Sequence, residues 1–341
     1  MSKQSLGGNT EPVVFAFEKQ DPRDRSLDWL RERGVQIRYG SAATDPTFRR
    51  YEPADFVRQA QGCVGVLGSS SIQITEELLA SLDGLRFISK LGIGVDSIDI
   101  TAATRRGILV TNTPDPDASI AVAEHAVAMM LALCKRLNHW TPAYLREGGW
   151  RGSDVSTSIA GLTVGIVGLG RIGQAVAQRL ANWDVRLVGY DPYAGDAGHV
   201  AERMSLNELF SVSDIVTLHC TATPENHHIV NARTLALMKP NAFLINTGRG
   251  ALIDQAALRH FLREGKIAGA GLDVFEQEPP DPHDHLLSLD NVIATPHVAS
   301  RTLRALLDAR TRAANNMWAM LTGSDVADIV NPEAKSVGGA Q

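Results

Sequence analysis

Short apolar runs alternate with segments of helical periodicity along most of the chain. The runs predict strands at Val13–Phe17, Val35–Tyr39, Gly65–Leu67, Phe87–Leu91, Ile108–Val110, Thr163–Val167, Val185–Tyr190, Ile215–Leu218, Ala242–Asn246, Ala268–Leu272 and Val292–Ala294. The periodic segments predict helices at Leu27–Arg33, Pro53–Gln61, Thr75–Ser81, Ile98–Arg105, Ser119–Leu137, Arg171–Ala181, Ser205–Phe210, Ala232–Leu237, Gln255–Glu264 and Arg301–Leu321. Strands that alternate with helices are typical of α/β proteins built on parallel sheets.

One strand leads directly into a glycine pattern of the form G-x-G-x-x-G. After Thr163–Val167 come Gly168, Gly170 and Gly173, and a helix follows at once. Gly168 allows the tight turn, Gly170 lets a pyrophosphate approach the backbone, and Gly173 allows close packing of helix on strand. The free N–H groups at the helix N-terminus then face the anion. An ordinary βαβ turn explains the glycines alone equally well.

The residues after the glycines favour dinucleotide binding over that simpler interpretation. The next strand ends in Asp191, about 20 residues on, where a carboxylate would hold a ribose 2′-hydroxyl. Pro192 and Tyr193 follow, with no adjacent arginine or lysine. Because a carboxylate repels a 2′-phosphate, the pattern predicts NAD rather than NADP, with Asp191 and Pro192 at the cofactor.

The order of these segments predicts two nested domains. Thr111–Asp115 carries a proline-bearing turn that suits a passage between domains, and the last helix follows the final strand of the cofactor domain. We therefore predict a domain of residues 1–112 plus 300–341, into which an NAD-binding domain of residues 113–299 is inserted. A small ligand is expected between them.

Polar residues that could take part in binding or catalysis follow the predicted strands of the cofactor domain. Ligands of such sheets bind beyond the carboxyl ends of the strands. The residues found there are His219, Cys220 and Thr221, then Thr247, Gly248 and Arg249, then Asp273 and Glu278, and finally His297. Cys220 is interpreted as inert packing near the cofactor.

Three of these residues form a set suited to oxidation of a hydroxy acid. His297 can exchange the hydroxyl proton, Glu278 can stabilise the imidazolium form of that histidine, and Arg249 can hold a carboxylate with its planar fork. Singly, each has a simpler interpretation: a loop histidine, a solvated turn acid and a surface cation. The functional interpretation depends on their convergence at one edge of the sheet.

Composition narrows the class of protein without pointing to chemistry. The 341 residues are 44% hydrophobic and 21% charged, with a net charge of -5, which favours neither nucleic acid nor an anionic membrane as partner. The three cysteines are far apart, and no metal site is predicted; the adjacent His227 and His228 are expected to point in different directions.

Met1–Pro12 lacks the apolar core of a signal peptide, and Glu124 and His125 interrupt the most apolar helix, so a cytoplasmic protein without membrane spans is expected.

Over roughly Phe87 to Pro332 the chain resembles the D-isomer-specific 2-hydroxyacid dehydrogenases. The resemblance is carried by Gly92–Asp96, Val164–Gly173, Leu244–Glu278 with its Asn-Thr-Gly-Arg-Gly and Leu-Asp-Val-Phe-Glu-Gln-Glu-Pro runs, and Thr295–His297. It implies a Rossmann NAD-binding domain inserted into a flavodoxin-like substrate-binding domain, and hydride transfer between nicotinamide C4 and substrate C2.

The resemblance also implies roles for individual residues. It makes Arg249, Glu278 and His297 catalytic and assigns the backbone amides of Ile93 and Gly94 to the substrate carboxylate. It assigns Arg171 and Ile172 to the pyrophosphate and Asp273 to the nicotinamide carboxamide. A homodimer is implied, with about Asp117 to Arg151 wrapping the partner.

The branch of phosphoglycerate dehydrogenases is the most similar in general pattern, here in a short form without a regulatory domain after Pro332. Many of those enzymes carry arginine where this chain has Gly68-Ser69-Ser70-Ser71, and a phosphate group would need that charge. The substrate is expected to be a small 2-keto or 2-hydroxy acid, with 3-phosphoglycerate, glyoxylate and hydroxypyruvate as alternatives. An NAD-sensing corepressor-like binding protein and a formate or phosphonate dehydrogenase are the remaining alternatives; Glu278 argues against formate.

Overall fold

A computed structural model describes residues 11–45, 47–48, 50–195, 198–200 and 202–338. By its internal contacts the chain divides into two compact units, Met1–Asp115 with Leu303–Gln341 and Pro116–Thr302. The domain bounds predicted from the sequence, 112/113 and 299/300, stay a prediction. Most of Met1–Pro12, where the sequence argues against a signal peptide, lies outside the described residues.

The first unit is built on a five-stranded parallel sheet. Its elements are β1 (Val13–Ala16), α1 (Ser26–Arg31), β2 (Gln36–Tyr39), α2 (Ser41–Thr44), α3 (Pro53–Ala60), β3 (Gly65–Gly68), α4 (Glu76–Ala80), β4 (Phe87–Lys90), α5 (Ile100–Arg105) and β5 (Leu109–Thr111). The strand order is β2-β1-β3-β4-β5, which is the flavodoxin-like order. The chain reverses its direction of winding between β1 and β3, so the crevice at their carboxyl ends is the switch point of this sheet.

The second unit is built on a seven-stranded parallel sheet. Its elements are α6 (Pro116–Cys134), α7 (Pro142–Arg146), β6 (Thr163–Val167), α8 (Arg171–Leu180), β7 (Arg186–Tyr190), β8 (Glu202–Arg203), α9 (Leu206–Val212), β9 (Ile215–Leu218), α10 (Ala232–Leu235), β10 (Phe243–Asn246), α11 (Gln255–Arg263), β11 (Gly269–Leu272) and β12 (Val292–Ala294). Short 3₁₀ helices occur at Pro224–Asn226, Gly250–Leu252 and His285–Ser288. The order β12-β11-β10-β9-β6-β7-β8 is that of a Rossmann sheet, so the predicted fold class of two parallel-sheet α/β domains is confirmed.

The chain then returns to complete the first unit with α12 (Leu303–Thr322) and α13 (Ala334–Gly338). Alternate residues of β1 face opposite sides of the sheet. Phe15 packs against Phe56 on one side, while Val14 belongs to the other core with Met317 of α12. A Cβ on Gly65 would lie 2.8 Å from the Met317 sulfur, so α12 packs directly on the sheet.

Helix α6 is apolar on several sides, as the sequence indicates. By length and composition alone its 19 residues could cross a membrane, since an 18-residue window has a mean hydropathy of 1.5 although Glu124 and His125 interrupt the helix. Of its most apolar window, 56% is buried, because the helix packs against α8, β10 and β11. Such burial is typical of a core helix in a folded domain.

A buried carboxylate ties α12 to the segment that leaves the first sheet. Asp328 accepts hydrogen bonds from Arg312 Nε at 2.6 Å and Nη2 at 2.7 Å and from Asn316 Nδ2 at 3.0 Å. The same Asn316 also donates to the carbonyl of Asn112. The Arg312 guanidinium holds the pKa of the Asp328 carboxyl below its usual range.

The substitution Asp328→Asn is expected to lower the free energy of unfolding by about 2 kcal/mol near pH 7, because it leaves a cation without its partner. Since the pKa is lower in the folded than in the unfolded protein, this contribution is complete above about pH 4 and is lost as the pH falls further. Urea unfolding of both proteins at pH 7 and pH 3.5 measures the difference. Asp325→Asn, at an exposed position of the same loop, is the control; equal losses from the two variants would contradict the assignment.

Four short elements escape the sequence pattern. The helices α2 and α7 and the strand β8 are not predicted. The polar, glycine-bearing sequence of Ala334–Gln341 predicts a frayed end, but α13 occupies part of it; residues 339–341 are not described. Both residues of β8 are exposed and charged, and α7 has no buried residue. An apolar pattern therefore has nothing to detect in them.

Candidate functional site

Two of the three glycines after β6 occupy positions where a side chain would clash, and the third faces open space. A Cβ on Gly168, at φ 93°, would lie 2.5 Å from the Cys220 nitrogen, and one on Gly173 would lie 2.0 Å from the Gly168 carbonyl oxygen. Gly170 is the N-cap of α8 and has open space around it. The backbone of the turn is thus packed on one side and open on the other, and Arg171 and Ile172 begin the helix.

The loop after β9 lies beside this turn, at the switch point between β6 and β9. His219 is buried and contacts the hydroxyls of Thr217 at 2.9 Å and Thr247 at 3.4 Å, and burial lowers its pKa to about 3. Burial likewise raises the pKa of the Cys220 thiol to about 11, which leaves it protonated and unreactive at neutral pH. Thr221 follows at an exposed position.

Asp191 follows β7 and braces the glycine turn. One carboxylate oxygen accepts the Leu169 N–H at 2.8 Å, and the other accepts those of Tyr193 and Ala194 at 2.8 and 3.1 Å. Burial opposes ionisation, but these three bonds lower the pKa of Asp191 below its usual value. The carboxylate therefore stays charged, with Pro192 beside it.

Sequence reasoning missed a cation at this position. The Arg203 guanidinium donates to the carbonyl of Asp191, although the two residues are not adjacent in sequence. It belongs to the two-residue strand β8, which the apolar pattern does not indicate.

His297 and Glu278 are brought together by loops that follow different strands. The distance from His297 Nδ1 to Glu278 Oε2 is 2.7 Å, and the second carboxylate oxygen of Glu278 accepts the Phe275 N–H at 3.1 Å. The side chains are 50% and 37% exposed. A carboxylate at Nδ1 selects the tautomer or ion that carries a proton there, and it leaves Nε2 directed elsewhere.

Hydrogen bonds to Asp273 fix the turn that carries His297. Its buried carboxylate accepts from the Thr295 hydroxyl at 2.6 Å and from the N–H groups of Val298 and Ala299 at 2.8 and 2.9 Å. The Asp273 carbonyl also accepts the N–H of His297, whose φ is 53°. The left-handed conformation of a non-glycine residue costs about 1 kcal/mol or more, and these bonds offset it.

This support extends into helix α6 through His125. Its Nε2 lies 3.0 Å from the Thr295 hydroxyl and 3.8 Å from Asp273 Oδ1. The sequence treats His125 only as an interruption of an apolar helix. A polar residue within such a helix is the signal that could have indicated a buried partner.

Arg249 follows β10 in a tightly packed turn. The buried Asn246 side chain donates to the Arg249 carbonyl at 2.9 Å and accepts the Gly248 N–H at 3.0 Å. Arg249 Nη1 donates to the Gly248 carbonyl at 2.8 Å. A Cβ on Gly250 would lie 1.8 Å from the Phe275 carbonyl oxygen, so this turn contacts the loop that carries Glu278.

The other residues assigned to the substrate, Ile93 and Gly94, follow β4 in the first unit. The Asn112 side chain donates to the Ile93 carbonyl at 2.8 Å, and the Thr113 hydroxyl accepts the Gly92 N–H at 2.7 Å. These bonds fix the turn, and Ile93 is 40% exposed.

The two neighbouring histidines do not point apart as predicted. The rings of His227 and His228 stack with centroids 3.8 Å apart, because His228 takes a left-handed backbone with φ 52°. His228 Nε2 lies 2.7 Å from Glu276 Oε1, and the three residues have the atoms of a candidate metal site. The histidine and the carboxylate already bond to each other, and the absence of a metal stays a prediction.

Comparison with known proteins identifies the family to which the chain is similar. Residues 127–299 match the model of the NAD-binding domain of D-isomer specific 2-hydroxyacid dehydrogenases. The chain is 42% identical over 269 residues to a D-3-phosphoglycerate dehydrogenase of Methanocaldococcus jannaschii, covering 77% of this chain and 50% of that one. It is 40% identical over 274 residues to a glyoxylate reductase of Thermofilum pendens, covering 78% and 80%.

A solved structure is similar to this chain over nearly its full length. The NADPH-dependent glyoxylate/hydroxypyruvate reductase of Sinorhizobium meliloti superposes with a TM-score of 0.79 at 30% identity, covering 95% of this chain and 98% of that one. The chain therefore belongs to the D-isomer-specific 2-hydroxyacid dehydrogenase family, as the sequence predicted. It spans about half the length of the curated phosphoglycerate dehydrogenases that it matches.

The residues present fit the nicotinamide dinucleotide that members of this family bind. The open space at Gly170, with the first N–H groups of the ten-residue helix α8 beside it, can receive a pyrophosphate. The charged Asp191 lies after the neighbouring strand, where the adenosine ribose would be held.

Proposed function

We propose that this chain is an NAD-dependent 2-keto acid reductase, or D-2-hydroxyacid dehydrogenase, with His297 as its acid and base. The observation that carries the proposal is the 2.7 Å contact between His297 Nδ1 and Glu278 Oε2 at the carboxyl edge of a Rossmann sheet. A solvated loop histidine would need neither a carboxylate partner nor the three hydrogen bonds that its turn donates to the Asp273 carboxylate.

The proposed chemistry divides the work among three side chains. Bound reduced nicotinamide supplies a hydride to the keto carbon. His297 donates the proton on Nε2 to the keto oxygen, while Glu278 holds the opposite ring nitrogen and stabilises the imidazolium. Arg249 pairs with the substrate carboxylate through its fork, and the Ile93 and Gly94 amides add donors to the same group. Water is the ultimate source of the proton.

An NADH-oxidation panel tests the proposal directly. Glyoxylate, hydroxypyruvate, pyruvate and 3-phosphohydroxypyruvate are offered under identical conditions, and absorbance at the nicotinamide band is followed. Oxidation with at least one of them is expected. NADH binding with no turnover on any of them would support a sensing protein and refute the enzymatic proposal.

Replacing Glu278 by glutamine is expected to lower kcat for keto acid reduction by about tenfold or more, because the neutral amide no longer offers His297 Nδ1 a charged acceptor. Steady-state kinetics with a saturating keto acid measure the loss. Glu276→Gln, two residues away at an exposed position, is the matched control, and an unchanged kcat for Glu278→Gln would refute its role.

We further propose that NAD is preferred to NADP, because the charged Asp191 repels a 2′-phosphate. The substitution Asp191→Ala is expected to reduce the ratio of kcat/KM for NADH to that for NADPH by about tenfold or more. Arg203 opposes this preference through its charge, so Arg203→Gln is expected to increase the ratio. Changes of the same sign in the two variants would contradict the assignment.

We also propose that the chain forms a homodimer. Four large apolar side chains of the segment after α6 are exposed: Leu137, Leu145, Trp150 and Val155, with Trp150 at 73% and Val155 at 82%. Exposed apolar groups concentrated in one segment are typical of an interface. Sedimentation of the full chain and of Trp150→Glu tests it; a monomeric wild type would refute it.

A further inference from the structure

The switch point of the first sheet contains a packed aromatic ring. β1 runs into Phe17, which is 1% exposed and lies against Gly68 at the end of β3. A Cβ on Gly68 would lie 2.6 Å from the Phe17 ring. No side chain fits at position 68 while that ring is in place, and the loop continues as Ser69-Ser70-Ser71.

The next residue, Glu18, directs its carboxylate at this serine loop. One oxygen accepts the Ser69 N–H at 2.7 Å, the Ser69 hydroxyl and, more weakly, the Ser71 hydroxyl at 3.5 Å. Within the described part of the chain, no lysine or arginine forms an ion pair with it. Among the described residues, the side-chain hydrogen bonds that Glu18 accepts come from neutral donors.

The charge of the Glu18 carboxylate affects the neighbouring Tyr51 hydroxyl. Burial raises the pKa of the Tyr51 hydroxyl, and the charge of Glu18 adds to that shift. Both serine hydroxyls also donate their protons to Glu18, so their remaining capacity is to accept hydrogen bonds. The cluster of Glu18, Ser69 and Ser71 thus presents negative charge and acceptor oxygens.

The crevice is close to the turn that we assign to the substrate carboxylate. The Leu91 N–H donates to the Gly68 carbonyl at 2.8 Å, which places Ser69 and the Gly92–Gly94 turn on neighbouring strand ends. From β1 across β3 to β4 is two strand spacings, or about 10 Å. Ligands of open α/β sheets bind at such a switch point.

We propose that Glu18 is a specificity-determining residue that excludes 2-keto acids with an anionic group at the distal carbon and favours those that carry hydrogen or a hydroxyl there. This inference rests on the proposed function and names the substrate class of that site. An uncharged substituent meets no repulsion from Glu18, whereas a phosphate, with two negative charges, meets a like charge.

The size of the effect follows from Coulomb's law. A phosphate about 10 Å from a carboxylate, in a solvent-accessible crevice of high effective dielectric constant, loses about five- to tenfold in affinity, and added salt screens this loss. The repulsion is absent for an uncharged substituent at the same distance.

The experiment compares hydroxypyruvate with 3-phosphohydroxypyruvate in wild type and Glu18→Gln. Glutamine keeps an acceptor for the Ser69 N–H and removes the charge. At low ionic strength, the ratio of kcat/KM for the phosphorylated to the unphosphorylated acid is expected to rise about five- to tenfold in the variant. In wild type alone, the same ratio is expected to rise with salt.

The matched control is Glu32→Gln, at an exposed position after α1 on the amino-terminal side of the same sheet, which is expected to leave the ratio within twofold. A ratio unchanged in Glu18→Gln and insensitive to salt would refute the proposal, as would a variant that only loses thermal stability. A wild type that oxidises NADH with neither acid, nor with glyoxylate or pyruvate, would refute the proposed function instead.

Discussion

Replacing His297 by alanine is expected to lower kcat for keto acid reduction by at least about two orders of magnitude, the usual contribution of a positioned acid or base. The imidazole is the only group assigned to deliver the proton, and the alanine variant would depend on water. Because the ring is half exposed, its loss is expected to cost little stability. NADH affinity, measured by fluorescence, should change by less than threefold.

The control for this variant is His283→Ala. His283 lies on the exposed loop before the 3₁₀ helix at His285–Ser288 and bonds through its backbone N–H to Asp281. It should retain activity within twofold. If His297→Ala retained more than a tenth of the wild-type kcat, the proton would have to come from another group.

The loss expected from Arg249→Ala is of similar size and of a different kind. The fork is assigned to hold the substrate carboxylate in both the bound and the reacting state, so kcat/KM is expected to fall by at least about 100-fold, with an increase in KM. Arg249→Lys keeps the charge and loses the planar fork, so it is expected to recover only part of the activity.

Oxalate distinguishes binding from chemistry in these variants. As a non-reacting dicarboxylate, oxalate should inhibit competitively. Its inhibition constant should increase in Arg249→Ala and change by no more than a few fold in His297→Ala. Arg263→Ala, exposed on the last turn of α11, is the control. Unchanged oxalate inhibition in Arg249→Ala would refute its assignment to the carboxylate.

The elements that position the site could be predicted because they are buried. The strand Thr163–Val167 is a continuous apolar and β-branched run, as a strand covered on both faces must be, and its bounds agree with the structure. Asn231 precedes the predicted helix Ala232–Leu237 as an N-cap, and its side chain accepts the N–H groups of Arg233 and Thr234. Polar residues after such strands must share one edge, which is why Arg249, Glu278 and His297 could be grouped.

The contacts that orient those groups could not be predicted. The three bonds that Asp273 accepts depend on the path of a turn more than twenty residues later, and no local pattern encodes it. The stacking of His227 on His228 depends on one left-handed residue, where the sequence offers no glycine. Arg203 lies on a strand of two exposed charged residues, which pairs with β7 through backbone bonds and the Arg186–Glu202 ion pair and which no apolar pattern marks.

The nested order of the two units has a consequence for biogenesis. During translation, Pro116–Thr302 emerges as one uninterrupted block, roughly 10 to 40 s of synthesis, and can fold as soon as it clears the ribosome. The strands β1 to β5 are made earlier but must wait, since α12, which covers one face of their sheet, is translated afterwards. A nascent chain stopped at residue 302 would thus hold a finished nucleotide-binding half beside an open apolar sheet that chaperones would have to shield.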